Sequence, residues 1–236
     1  MVVLAKHRDK VYPISCHYDH IGGLILRDGF YEHESLSYLE NAIGSISAGR
    51  TILDIGANVG NHSVFFSSVL GGKVLAFEPF GLNFARLEQN ALRYGFSAFQ
   101  MLVGDGGRYS FDGGIERDGS DMLHYGMITY ESDVDGEQSW RLDDVCDKLG
   151  NVLLIKIDVD GMEVEVIRGA LELIRKHKPL IWFECYDTIK LGVIKGLLTD
   201  CGLSVGIFRA MEGLDSEYMA YDGQVYCFEQ ISAEIT

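Results

Sequence analysis

The sequence predicts an α/β fold of the Rossmann-like kind, a mostly parallel sheet with helices on both faces. Three observations predict it. Short apolar runs alternate along the chain with segments of helical period. Most of those runs are apolar at every position, as strands buried on both faces are. One run ends in a glycine turn, Gly56-Ala57-Asn58-Val59-Gly60, that opens straight into a helix-period segment.

In chain order, the strand-like runs are residues 51–55, 73–77, 98–103, 152–159 and 180–185, rich in β-branched or aromatic side chains and bounded by Gly, Pro or polar residues. Between them, residues 61–70, 83–94 and 161–177 read as helices. In the last, Val164, Ile167, Leu171 and Ile174 recur at helical spacing, with basic residues in the final turn and Pro179 as the stop. A further helix is expected over 189–201. Two late runs, 203–208 and 224–228, fit an antiparallel hairpin at the sheet edge.

A chain of 236 residues, 47% of them hydrophobic, is long enough for one large core. We therefore expect a single domain over 1–236, with residues 1–49 as an N-terminal cover. Residues 107–140 stand apart because they are rich in Gly, Asp, Glu, Tyr and Met and hold no sustained period. They read as an excursion between two strands, a lid or substrate arm. The first twenty residues alternate apolar and charged positions, without the apolar run of a signal peptide or membrane span, so a soluble, cytoplasmic protein is expected. The cysteines, Cys16, Cys146, Cys185, Cys201 and Cys227, have no CxxC spacing and read as buried free thiols rather than zinc ligands. With 35 acidic against 20 basic residues the net charge is -15, which repels polyanions and makes DNA and RNA poor partners.

The glycine turn carries the sharpest functional signal. Gly56 and Gly60 permit a tight turn and close ligand approach, and the N-H groups opening the helix can receive a carboxylate or phosphate. The next strand ends in Phe77-Glu78-Pro79, where an acid can accept hydrogen bonds from both hydroxyls of a ribose. Glu78 thus points to an adenosine ligand. A dinucleotide fold wants GxGxxG, and Asn58 stands where its second glycine belongs. The NAD(P)-dependent, short-chain-type oxidoreductase remains the alternative, since Tyr186 and Lys190 have the Tyr-xxx-Lys spacing of proton transfer. Against it, His62 replaces the last glycine of that family's turn and no serine lies at the usual distance before Tyr186.

The second signal is Ile155-Lys156-Ile157-Asp158-Val159-Asp160-Gly161-Met162-Glu163. Strand alternation puts Asp158 and Asp160 on one side as the strand runs out, where they can take a proton, bind a divalent cation or orient a charged cofactor. Glu163 reads as a helix N-terminal residue. Glu184 ends the next strand, and an acid inside an apolar run is costly unless paired or used. His62 and His124 are the histidines placed near the site, each more readily explained as a surface or polar-core residue than as a base.

Taken together, Gly29-Phe30-Tyr31-Glu32, Asp54 to Gly60, Phe77-Glu78-Pro79, Leu142-Asp143-Asp144, Ile155 to Glu163 and Lys178-Pro179 through Glu184 resemble the FkbM-type methyltransferases, a branch of the class I fold that uses S-adenosylmethionine (SAM). The resemblance implies a seven-stranded sheet with its last strand antiparallel, SAM over the first two strand tips, and methyl transfer to hydroxyls of sugars or polyketide-type products. It places Asp54, Gly56, Ala57, Asn58, Gly60 and Asn61 in the methionine-side loop, Glu78 on the ribose and Asp105 near adenine. Asp160 departs from the family's usual glutamate.

The Asp/Asn-Pro-Pro-Tyr motif of amino-methylating enzymes and the Pro-Cys pair of cytosine carbon methylation are both absent, which leaves oxygen as the acceptor atom. The expected activity is methyl transfer to a hydroxyl of a small molecule, sugar or glycan. Asp158 and then Glu184 are the catalytic candidates. Mg²⁺ held by Asp158 and Asp160 is an option, though not the favoured one, because one motif offers only two oxygen donors. A SAM-fold binding protein without transfer activity is the reading from a different class.

Overall fold

The computed structural model describes residues 1–113, 116–117, 123–124, 128–210 and 216–221, with side chains over 1–111 and 130–206. The chain opens with an antiparallel hairpin, β1 (Val2–His7) and β2 (Lys10–Ser15), then α1 (His20–Asp28) and α2 (His33–Ser47). The main alternation follows: β3 (Thr51–Ile55), α3 (Asn61–Ser68), β4 (Lys73–Phe77), α4 (Gly81–Tyr94) and β5 (Ser97–Phe99). After an excursion of short strands, β6 (Arg108–Gly113), β7 (Glu116–Arg117), β8 (Leu123–His124), β9 (Ile128–Ser132) and β10 (Glu137–Gln138), a 3₁₀ turn over Leu142–Lys148 returns the chain to the sheet. There it runs β11 (Val152–Ile157), α5 (Glu163–Arg168), α6 (Leu171–His177), β12 (Leu180–Cys185), α7 (Thr188–Asp200), β13 (Ser204–Ala210) and β14 (Ser216–Tyr221).

The central sheet has seven strands in the order β13-β14-β12-β11-β3-β4-β5. From β5 to β12 every pairing is parallel, while β14 runs antiparallel to both β12 and β13. The expected sheet with an antiparallel last strand is thus present. Side-chain alternation explains the helices on both faces. Ile52, Leu154, Leu180 and Trp182 join one apolar cluster with the N-terminal hairpin, α2 and α3. Leu53, Ile155, Ile157, Ile181 and Phe183 join the other, with residues of α5, α6 and α7. Strands buried from both sides must be apolar throughout, so a polar residue inside one is conspicuous.

Several boundaries differ from the sequence reading. The run 98–103 is a strand only over Ser97–Phe99; beyond it, Val103 forms an isolated bridge with Trp140 where the excursion rejoins the sheet. Strand β11 stops at Ile157, before Asp158. The helix expected over 161–177 begins at Glu163, because Gly161 takes a left-handed φ of 97°, and it breaks into α5 and α6 around Gly169 and Ala170. The break has a tertiary cause: a Cβ on Gly169 would stand 1.9 Å from the carbonyl oxygen of Gly104, and Asp143 Oδ1 accepts the Leu173 N-H at 2.9 Å, capping α6 from outside its own sequence. The partner of β13 is β14 (Ser216–Tyr221); the run 224–228 lies outside the described residues, as does Cys227.

Residues 107–140 hold secondary structure that the sequence period did not reveal. Strands β6, β9 and β10 form a three-stranded antiparallel sheet, and β7 pairs with β8. Cys16, Cys185 and Cys201 are buried free thiols and Cys146 is half-buried. Among the described residues no helix is long and apolar enough to cross a membrane.

Candidate active site

The glycine turn leaves β3 and folds onto the tip of β4. Gly56 and Ala57 both donate their N-H to the carbonyl of Phe77, at 3.0 and 2.9 Å. Gly56 has φ 76°, and a Cβ there would fall 1.8 Å from the Asp158 carbonyl oxygen, so only glycine lets the two loops touch. Asn58 is also left-handed, at φ 51°, a conformation that asparagine tolerates better than most residues. Its Oδ1 accepts the Val59 N-H at 2.7 Å and its own N-H donates to Glu78 Oε2 at 2.9 Å. Asn58 therefore supplies the backbone shape that glycine supplies in a dinucleotide turn. No side chain caps α3, whose N-cap residue is Gly60 with φ 90°.

The loops at the carboxyl ends of β3, β4 and β11 enclose a cavity of about 260 Å³. Gly56, Ala57, Asn58, Asn61, Glu78, Asp158, Asp160 and Glu184 all line it. Asp54, Gly60 and Asp105 are not on its wall. Asp54 is fully buried beneath the turn, where Ser63 Oγ donates to it at 2.5 Å. Gly60 packs against Leu87 of α4. Asp105 Oδ1 accepts from the Gly107 N-H and the Tyr109 hydroxyl, tying down the root of the excursion. Asn61 faces the cavity but also clamps Tyr31, accepting its N-H at 3.0 Å and donating to its carbonyl at 3.1 Å.

Glu78 is 5% exposed and takes backbone N-H groups from Asn58 and Phe80 on its two oxygens. Burial pushes its carboxyl up to about 7, the two backbone donors offsetting part of the rise.

Asp158 and Glu184 come one step after Ile157 and Phe183, the last residues paired between β11 and β12, and so lie side by side at the carboxyl end of these two strands. Between Asp158 and the core lies Lys156, 3% exposed, with its Nζ 2.9 Å from Asp158 Oδ2 and 3.9 Å from Asp54 Oδ1. Burial works against the ammonium, but Asp158, Asp54 and Glu32 outweigh it and hold the lysine charged. Burial likewise opposes charge on Asp158, yet Lys156 draws its carboxyl below the ordinary range. Glu184 goes the other way, pushed up to about 8 by burial and the charge of Asp158. Its hydrogen-bond donor is the Tyr186 hydroxyl.

Several cavity residues escaped the sequence reading. Lys156 was legible as the one cation inside an apolar strand, two residues from Asp158 and hence on its face. Asp19, His20 and Tyr31 reach the wall from the N-terminal segment, and Tyr130 reaches it from β9; no local pattern announces such long-range approaches. His62 also lines the cavity, 5% exposed, its Nε2 3.0 Å from Glu32 Oε2 and its ring edge-on to Trp182. The side chain of His124 lies outside those described. Glu163 Oε1 accepts the Gly161 N-H at 2.9 Å, a local turn contact at the start of α5. Among the described residues no three His, Cys, Asp or Glu side chains are grouped to hold a metal ion.

The sequence matches the methyltransferase FkbM domain over residues 54–204, which takes in the glycine turn, Glu78, Asp158 and Glu184. The chain belongs to the FkbM methyltransferase family. An FkbM methyltransferase from Methylobacillus flagellatus KT has a similar structure, with a TM-score of 0.55 and 17% identity over 85% of this chain and 52% of that one. This chain therefore spans about half the length of that relative. The METTL16 methyltransferase domain aligns with a TM-score of 0.50 and 14% identity over 80% of this chain and 66% of its own. The T. thermophilus 16S rRNA methyltransferase RsmC, in complex with AdoMet and guanosine, aligns with a TM-score of 0.50 and 12% identity, covering 94% of this chain and 50% of that one. At such identities the likeness is one of fold. No curated protein matches the chain in sequence. In this FkbM domain the Tyr186 and Lys190 spacing does not build the proton-transfer pair of a dehydrogenase, since the Tyr186 hydroxyl donates to Glu184 and Lys190 Nζ donates to the Gly161 carbonyl at 2.6 Å.

Proposed function

We propose that this FkbM domain is a SAM-dependent O-methyltransferase acting on a hydroxyl of a small molecule, sugar or glycan. One observation carries the reading: Glu78 and the carboxyl pair Asp158 and Glu184 face the same cavity, the first suited to a ribose and the second to an acceptor hydroxyl. The donor set fits the cofactor. Asp19, Glu78, Asp158, Asp160 and Glu184 line the cavity against a single lysine, an acid-rich surround suited to a molecule carrying a sulfonium and an ammonium. When bound, SAM supplies a methyl group already activated by the positive sulfur.

The chain's residues then have three tasks. Gly56, Ala57, Asn58 and Asn61 shape the wall on the methionine side, with Asp54 and Gly60 supporting the turn from behind. Glu78 accepts from the ribose, and Asp105 acts indirectly by anchoring the excursion beside the adenine side. Asp158 and Glu184 hold the acceptor oxygen in line with the methyl, and such positioning is worth about 7–11 kcal/mol. The bound cofactor would supply the methyl and keep the departing electron pair on its sulfur, while Asp158 and Glu184 take the proton that the acceptor hydroxyl loses. Of the two, Glu184 is the better base, because its affinity for a proton is the higher. No divalent cation is part of this reading, since Lys156 already supplies the positive partner of Asp158.

The acid-lined cavity and the net charge of -15 favour uncharged polyhydroxyl acceptors over nucleic acid. A screen of sugar, nucleotide-sugar and polyketide acceptors with SAM, reading out S-adenosylhomocysteine, should give turnover on hydroxyl acceptors. Turnover confined to amines or RNA would overturn the reading.

A further inference from the structure

Strand register gathers four polar residues, Asp54, Lys156, Asp158 and Glu184, on a face of the sheet that is otherwise apolar. Lys156 pairs laterally with Asp54 of β3 and with Trp182 of β12, and one step further along the same face come Asp158 and Glu184. The lysine contacts Asp158 and Asp54, while Glu184 takes its hydrogen bond from Tyr186. A void of about 10 Å³, the room of one water, is lined by Glu32, Lys156, Asp158, Trp182 and Glu184. Two neighbouring carboxyls at a strand edge are chemically near-equivalent until something distinguishes them, and the buried ammonium touches only one.

We propose that Lys156 is the positioning residue of this site: by pairing with Asp158 alone it assigns the single exchangeable proton of the Asp158 and Glu184 pair to Glu184. The charged and titratable groups facing the pair are few enough to name. Lys156 stands below it on β11, Asp54 beyond on β3, Tyr31 and Glu32 come from the segment before α2, His62 from α3, Asp160 and Glu163 from the loop after β11 and the start of α5, and Tyr186 follows β12. Of these, Lys156 is the cation in direct contact with the pair, 2.9 Å from Asp158 Oδ2, while the His62 ring turns its Nε2 to Glu32 at 3.0 Å. The asymmetry matters for transfer. A pair sharing its proton equally presents a half-protonated base to the acceptor, whereas a pair sorted by Lys156 presents one permanent carboxylate and one group that loads and unloads a proton.

The inference rests on the methyl-transfer reading for its significance, but its test needs no acceptor. Carbon-13 NMR of protein labelled at the Asp and Glu carboxyls follows each group through pH, with Asp158→Asn and Glu184→Gln assigning the two signals. In the wild type, Asp158 should change only in the acid range and Glu184 only in the upper step. In Lys156→Met the upper step should divide, with about half of its shift change appearing at Asp158. Asp54→Asn combined with Lys156→Met removes the orphaned Asp54 charge and serves if the single variant does not fold. Were Lys156 only a structural counter-ion to Asp54, the variants would lose thermal stability while each carboxyl kept its own step, and the proposal would fall. It falls equally if Asp158 titrates together with Glu184 in the wild type. Failure of the methyl-transfer reading would instead show as absence of S-adenosylhomocysteine, with these titrations unaffected.

Discussion

The backbone N-H of Asn58 lies 2.9 Å from Glu78 Oε2, joining the glycine turn after β3 to the acid at the tip of β4. A residue that stands in place of glycine thus fixes the orientation of Glu78, the carboxyl proposed to accept from the ribose. Glu78→Ala should weaken SAM binding by about 1.5–3 kcal/mol, the range for hydrogen bonds to a charged group. Calorimetry measures it. Affinity should also rise as pH climbs through about 7, where the carboxyl ionises; an unchanged dissociation constant would make Glu78 a loop cap only.

Glu78 also predicts a stability effect. Its folded value of about 7 lies above the ordinary 4.5, so the folded state favours the protonated form. That contribution is fully present below about pH 4.5 and is lost as pH rises to about 7. A shift of that size corresponds to about 3 kcal/mol. Glu78→Gln removes the titration, so its stability relative to the wild type should increase from pH 4.5 to 7 in urea denaturation. A constant difference between the two proteins would refute the assignment.

Glu184 sets the expected rate profile. With the carboxyl at about 8, methyl transfer should rise as pH passes through that value. Glu184→Gln and Asp158→Asn should each lower the rate by about 10²–10⁴. EDTA should leave the wild-type rate unchanged. Loss of activity with EDTA and recovery with Mg²⁺ would return Asp158 and Asp160 to the role of metal ligands.

The excursion is tested through Tyr130, which lines the cavity from β9 and stacks at a tilt with Phe111 of β6. Replacing residues 113–133 with a short Gly/Ser linker should leave SAM affinity nearly intact and abolish transfer. Tyr130→Ala should raise the KM for the acceptor while keeping the protein folded. If the linker variant loses cofactor binding as well, the excursion belongs to the cofactor site.

Gly169 supplies a prediction about the fold alone. Its missing Cβ leaves room for the Gly104 carbonyl, which would otherwise be 1.9 Å away. Gly169→Ala should destabilise the protein by about 1–3 kcal/mol, the range for overpacking, seen in chemical denaturation. Equal stability would mean that the break between α5 and α6 has another cause.

The parallel strands were legible in the sequence because burial on both faces leaves an uninterrupted apolar run, and β3, β4 and β12 begin and end where those runs do. The glycine turn was legible because left-handed backbone and close loop contact restrict residue choice at Gly56 and Gly60. Glu78, Asp158 and Glu184 stood out for the same reason: a charge at the end of a buried strand demands an explanation. Tertiary structure decided the rest. The helix over 161–177 had an unbroken period, and only the approach of Gly104 and the external cap from Asp143 split it. The small sheet of β6, β9 and β10 pairs strands in an order that no local period encodes. Which of Asp158 and Glu184 keeps its proton depends on Lys156 being 2.9 Å from one of them, a distance set by strand register and burial acting together. Composition and periodicity determine which residues are buried or exposed, but a protonation state follows from the distances between charges, and those exist only once the strands have met.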